Sequence, residues 1–140
     1  VPLCVDRMLA LVPPKLLPSG CKTLPLEAIS DIDFIIPGEG SNYDIGRILR
    51  TAGVQPRVKY SVSDDYAAVA MAEGGLGMTI VPELILKGIG GNRAAVELEP
   101  ACTRTIGIAE RSIGTGSPAC AAFMRFTENW VKRHSEDAIQ

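Results

Sequence analysis

Histidine is almost absent, and the few cysteines are not grouped: Cys4, Cys21, Cys102 and Cys120 form no Cys-x-x-Cys pair, and the single His134 is not at ligand spacing from any of them. A zinc site or other metal centre is therefore not expected, and no residue points to a cofactor. The even cysteine count would permit disulfides. Apolar residues make up 46% of the 140 positions, however, so a core forms without staples, and reduced thiols in a cytoplasmic protein are expected. No cysteine has a neighbouring base or cationic cluster, and His134 lies in a polar C-terminal stretch, so no nucleophile–base pair exists and enzymatic activity is not expected. Long apolar runs are missing too. Met8–Val12 and Gly77–Pro82 are far short of the ~20 residues that span a bilayer, so no membrane partner is expected. The 14 basic residues are scattered among 16 acidic ones with no basic stripe, which excludes an autonomous nucleic-acid-binding surface. There is no internal repeat and no low-complexity tract.

What is present is an alternation of strand and helix signals at the scale of one domain. Met8–Val12 reads as a buried strand closed by Pro13-Pro14, with a loop through Lys15–Thr23. Pro25–Ile29 reads as one helical turn with proline at its first position, and Asp33–Ile36 as a strand stopped by Pro37-Gly38. Ile45, Ile48, Leu49 and Ala52 fall at i, i+3, i+4 and i+7 of an amphipathic helix, with Ser41 or Asn42 as N-cap and Gly53 as stop. Val58, Tyr60 and Val62 alternate with polar residues as in a half-buried strand. Ser63-Asp64-Asp65 then caps a helix that ends at Gly74-Gly75. Met78–Val81 is a strand, Gly88–Arg93 a loop, and two short strands hold Val96 with Leu98 and Ile106 with Ile108. Ser117-Pro118 opens a last helix whose Phe123, Phe126 and Trp130 form a bulky stripe in need of a partner surface. The alternation predicts an α/β layer with parallel pairing.

Two loops carry the functional expectation, because each leads from a strand end into a helix start, where ligands lie in open α/β sheets. The first is Ile36–Asn42 and the second Val62–Asp65. Together they read as half of a small-molecule pocket, with Ser41, Asn42, Ser63 and Asp64 as hydrogen-bonding residues beside Pro37, and with Gly38 and Gly40 allowing close approach. The same residues also read as simple caps and turns. Pro37-Gly38-Glu39-Gly40 lacks the Gly-Lys-Ser/Thr of a phosphate loop, and the adjacent Asp64 and Asp65 fit a helix dipole better than a catalytic pair, so no catalytic residue is assigned. Neither loop holds a lysine or arginine, so this half does not neutralise an anion, and a neutral or amine-bearing ligand is favoured.

The order of motifs is similar to the effector-binding domain of LysR-type transcriptional regulators. The matching pieces are Asp6–Pro13, Leu24–Ile29, Phe34–Ile36, Ala72–Pro82, Arg104–Ile108 and Ser117–Ala119 with Phe123; the most specific is Gly75-Leu76-Gly77-Met78-Thr79-Ile80-Val81-Pro82. The resemblance implies a type 2 periplasmic-binding-protein-like α/β fold, two subdomains joined by crossing strands with a small effector between them. Residues 1–12 would hold the first crossing strand, 13–105 a complete regulatory subdomain II, and 106–140 the return strand and C-terminal helix of subdomain I, the C-terminal remnant of the first subdomain. The start at Val1 without methionine suggests a fragment, with the winged helix-turn-helix that contacts DNA lying before it. The family's His-Pro-Leu-Ala after the first strand is replaced by Lys15-Leu16-Leu17-Pro18-Ser19, and residues 36–52 hold no cysteine, which argues against peroxide sensing. The implied partners are a small-molecule effector, DNA only through the absent domain, and a second copy in a homodimer or larger assembly through Phe123, Phe126 and Trp130. The alternatives are an oligomerisation module, or a solute-binding protein of the same fold.

Overall fold

The computed structural model describes residues 1–17, 20–38, 41–90, 94–110 and 117–134. Two compact units emerge: Arg7–Arg104, and Val1–Asp6 together with Thr105–Gln140. Strands β1 (Pro2–Leu11) and β6 (Ala95–Gly107) contribute residues to both.

The larger unit is an α/β layer covered on both faces. Its strands are parts of β1 and β6 with β2 (Thr23–Pro25), β3 (Asp33–Pro37), β4 (Arg57–Val62) and β5 (Thr79–Pro82). Four of them form a sheet in the order β2-β6-β1-β5, and β3 pairs with β4. The two ladders meet at Met78, whose N–H donates to the Asp33 carbonyl at 2.8 Å and whose carbonyl accepts from the Ile35 N–H at 2.8 Å. Gly77 makes this junction possible, because a Cβ there would lie 2.5 Å from the Asp33 carbonyl oxygen. β3 runs parallel to β4 and β2 to β6, whereas β1 is antiparallel to β5, so the sheet is mixed rather than wholly parallel.

Strands buried on both faces need apolar residues at successive positions, which accounts for the continuous runs read from the sequence. Ala10, Phe34 and Ile80 point into a core with helix α1 (Asn42–Ala52), while their neighbours Leu11, Ile35 and Val81 join helix α2 (Asp65–Glu73) on the other side. α1 forms because Ile45, Ile48 and Leu49 repeat on one face and are buried, about 5–9 kcal/mol of side-chain transfer at most. It stops at Gly53, which takes the left-handed φ of 67° and donates its N–H to the Arg50 carbonyl. The turn predicted at Pro25–Ile29 is a 3-10 helix over Leu26–Asp31, with Pro25 ending β2.

Three details differ from the sequence reading. Helix α3 (Glu83–Ile89) occupies a segment with no amphipathic period. The two strands expected around Val96 and Ile106 are one strand of 13 residues. Val58 is exposed at 49%, because the parallel β4 pairs only with β3 and so forms a sheet edge.

In the smaller unit, Val1 and Ile108 exchange two backbone hydrogen bonds of 2.7 and 2.9 Å, the signature of an antiparallel pair. Helix α4 (Pro118–His134) is capped by the Ser117 hydroxyl, which accepts from the Cys120 N–H, and Phe123, Phe126 and Trp130 are all exposed. Trp130 stacks on His134, ring centroids 4.3 Å apart.

Candidate functional site

Parallel pairing brings the carboxyl ends of β3 and β4 to one edge, with Pro37 opposite Val62. The chain then continues the contact past the strand ends: the Gly38 N–H donates to the Val62 carbonyl at 2.6 Å. A Cβ on Gly38 would stand 3.0 Å from that carbonyl and 3.7 Å from the Ser63 carbonyl. The close approach that Gly38 permits is thus the approach of the start of the second loop to the start of the first. Pro37 is buried at the strand end, while Gly38 is exposed; Gly40 lies outside the described residues.

Ser41 and Asn42 open α1. Ser41 occupies the cap position and its carbonyl accepts the Ile45 N–H at 2.9 Å, yet its side chain caps nothing. That hydroxyl is fully buried and has no hydrogen-bond partner among the described residues. Asn42 is exposed. On the second loop the polar groups are committed to each other. Asp64 Oδ1 accepts the Ala67 N–H at 2.8 Å, the side-chain cap of α2, and Asp64 Oδ2 accepts the Ser63 hydroxyl at 3.1 Å. The bond from Ala67, reinforced by Ser63, holds the Asp64 carboxyl below the usual carboxylate range. Asp65, in the first turn of α2, is buried and its Oδ1 has no partner among the described residues.

The loops themselves carry no lysine or arginine. In the first turn of α1, Asp44 stands 3.8 Å from Arg104 Nη1 of β6 and 3.6 Å from Arg47 Nη2. Arg47 Nη2 also donates to the Thr103 carbonyl at 3.1 Å. An arginine sixty residues away in the chain thus reaches α1, where Asp44 faces it. Only the i, i+3 pairing of Asp44 with Arg47 had a local signal.

All four cysteines are free. Burial pushes the Cys102 thiol up, and the Glu110 carboxylate beside Cys120 does the same there, so neither tends to thiolate. Among the described residues no cluster of three or more histidine, cysteine or acidic side chains is arranged to hold a metal, and no helix is long and apolar enough to cross a membrane.

Residues 1–132 match the family described as the LysR substrate binding domain. The chain belongs to that family. This is a family of transcriptional regulators, and the domain is their effector-binding part, with the type 2 periplasmic-binding-protein-like fold. Solved structures similar to this LysR domain include the effector binding domain of QuiR in complex with shikimate, 24% identical with a TM-score of 0.77, over 96% of this chain and 65% of that one. The regulatory domain of CcmR from Synechocystis PCC6803 in complex with 2-PG is 16% identical with a TM-score of 0.71, over 94% and 66%. Full-length CbnR, a structure with its target DNA, is 18% identical with a TM-score of 0.62, over 94% and 46%. The chain thus spans about two-thirds of the isolated domains and under half of the full-length regulator. No curated protein matches the chain in sequence.

Proposed function

We propose that this LysR domain senses a small molecule at the paired loops after β3 and β4 and thereby controls DNA binding by a winged helix-turn-helix outside residues 1–140. The observation that carries the reading is the Gly38 N–H to Val62 carbonyl bond, which joins the two loops where they begin and so supports a shared surface. The unpartnered Ser41 hydroxyl supports it, since a buried hydroxyl without a partner costs about 1–3 kcal/mol unless a ligand or water completes it. Pro37, Gly38, Gly40, Ser41, Asn42, Ser63 and Asp64 form this half of the site, residues 13–105 act as regulatory subdomain II, and residues 1–12 and 106–140 act as the crossing strand and the part of subdomain I present here. No catalytic step, cofactor or metal enters the mechanism. Effector binding closes the subdomains, and the differential affinity for open and closed states sets how far DNA binding shifts. The protein acts where the DNA is, in the cytoplasm. QuiR with shikimate and CcmR with 2-PG are precedents for small-molecule effectors, and CbnR with its target DNA for operator binding.

The test follows the affinity of intact regulator for its operator, by fluorescence anisotropy, across a panel of small metabolites. One compound is expected to shift that affinity, and the double variant Ser41→Ala with Ser63→Ala is expected to abolish the shift while leaving metabolite-free affinity in place. A panel with no responsive compound, or a response the double variant keeps, overturns the reading.

A second reading has its own observation. Phe123, Phe126 and Trp130 are 59%, 65% and 51% exposed on one helix, a larger apolar surface than scattered side chains give. Self-association through α4, as a homodimer or larger assembly, is compatible with effector sensing.

A further inference from the structure

Away from the paired loops, a pocket of about 420 Å³ lies wholly within the larger unit, between the second half of α1, the turn at Leu26–Glu27 and β6 beyond its pairing with β2. Leu26 and Ile48 form a buried apolar floor, and Pro100 and Ala101 an apolar side wall. Over this floor stand one cation and one anion, Arg47 and Glu27. Among the described residues Arg47 gives a single hydrogen bond, to the Thr103 carbonyl, and its fork of five N–H donors leaves capacity for a planar acceptor. Its pairing with Asp44 at 3.6 Å is long and half-exposed, so it competes weakly. Glu27 has no hydrogen-bond or ion-pair partner among the described residues.

The lining is electroneutral yet bipolar, with an apolar base. A simple anion leaves Glu27 uncompensated, and a simple cation is repelled by Arg47. We propose that this pocket binds an α-amino acid with an apolar side chain, its carboxylate on Arg47, its ammonium on Glu27 and its side chain over Leu26, Ile48 and Pro100. The volume lies in the range of small-molecule sites. Every group required belongs to residues 26–103, so the site is independent of the effector reading. It is also a second site: its lining contains none of Gly38, Ser41, Ser63 and Asp64.

The test titrates the full 15N-labelled chain with leucine and with phenylalanine, following backbone amide shifts, beside N-acetyl-leucine and leucine amide, which each lack one charge. Leucine or phenylalanine is expected to shift Thr51, Ala101 and Thr103 saturably, with Gly38 and Ser63 unmoved. Each single-charge analogue is expected to bind about tenfold more weakly or worse, as are leucine complexes of Arg47→Gln and Glu27→Gln, because a charged hydrogen-bonding group is lost each time. Ala101→Leu, which fills the pocket without altering charge, is expected to block binding; the unchanged dispersion of the spectrum reports that each variant folds. No saturable shift up to about 20 mM, shifts confined to Gly38 and Ser63, or equal binding of the single-charge analogues would overturn the proposal.

Discussion

Truncation of Ser41 to alanine separates two roles that a serine before a helix can have. A serine that caps its helix loses about 1 kcal/mol on change to alanine, because an N–H of the first turn loses its acceptor. Ser41 is placed to cap α1, but its hydroxyl is fully buried and makes no hydrogen bond among the described residues. Removing it relieves the desolvation cost of an unmet polar group, about 1–3 kcal/mol, against the loss of one atom's packing contacts, under about 1 kcal/mol. Ser41→Ala is therefore expected to leave stability unchanged or raise it by up to about 1–2 kcal/mol. With a urea m-value of about 1–3 kcal/mol/M, a gain of 1 kcal/mol moves the unfolding midpoint up by roughly 0.3–1 M. Far-UV circular dichroism against urea measures this, with an unchanged slope as the sign that the denatured state is the same. The effector response of the intact regulator is expected to weaken in the same variant. A midpoint that falls by the equivalent of about 1 kcal/mol would refute the reasoning, because it would mean the hydroxyl caps α1 in solution.

Gly77→Ala is expected to lose at least about 2 kcal/mol in the same urea assay, since its Cβ would stand 2.5 Å from the Asp33 carbonyl and break the bridge between ladders; near-native stability would contradict that geometry. Glu83 is held below its ordinary pKa of 4.5 by the Arg7 guanidinium, which donates two bonds of 2.7 and 2.9 Å to its carboxylate. Because the folded pKa is the lower one, this stabilisation is present above the unfolded value and is lost as pH falls through the folded value. Glu83→Gln is thus expected to lower the melting temperature at pH 7 and to converge with the parent in acid below pH 4.5, a convergence that melts at several pH values would reveal or deny. On α4, Phe126→Glu is expected to reduce concentration-dependent self-association in light scattering; a parent chain that stays monomeric at high concentration would contradict the α4 interface.

The sequence is most legible where periodicity is strong and local. Ile45, Ile48 and Leu49 announce α1, the runs Phe34–Ile36 and Met78–Val81 announce strands buried on both faces, and Ser63-Asp64 announces a cap that Asp64 does provide. α3 was not legible, because Leu84, Ile85 and Leu86 are adjacent rather than spaced and Gly88 follows, so its helix depends on packing of Leu86 and Ile89 against the α2 side of the sheet. The continuity of β6 also comes from elsewhere: β2 pairs with its first half and β1 lies along its other edge. In the candidate site, the adjoining starts of the two loops follow from the order strand, helix, strand, which parallel pairing turns into a shared edge. The Asp44–Arg104 contact has no such local origin, since only the completed sheet brings β6 to α1.

The most direct test of the account is an amide-shift titration of the intact regulator with a metabolite that alters its operator affinity. Gly38, Ser41 and Ser63 are predicted to move together and to saturate at one dissociation constant. A responsive metabolite that leaves all three unmoved, while amides elsewhere in the protein saturate, would contradict the claim that these loops form one wall of the effector site.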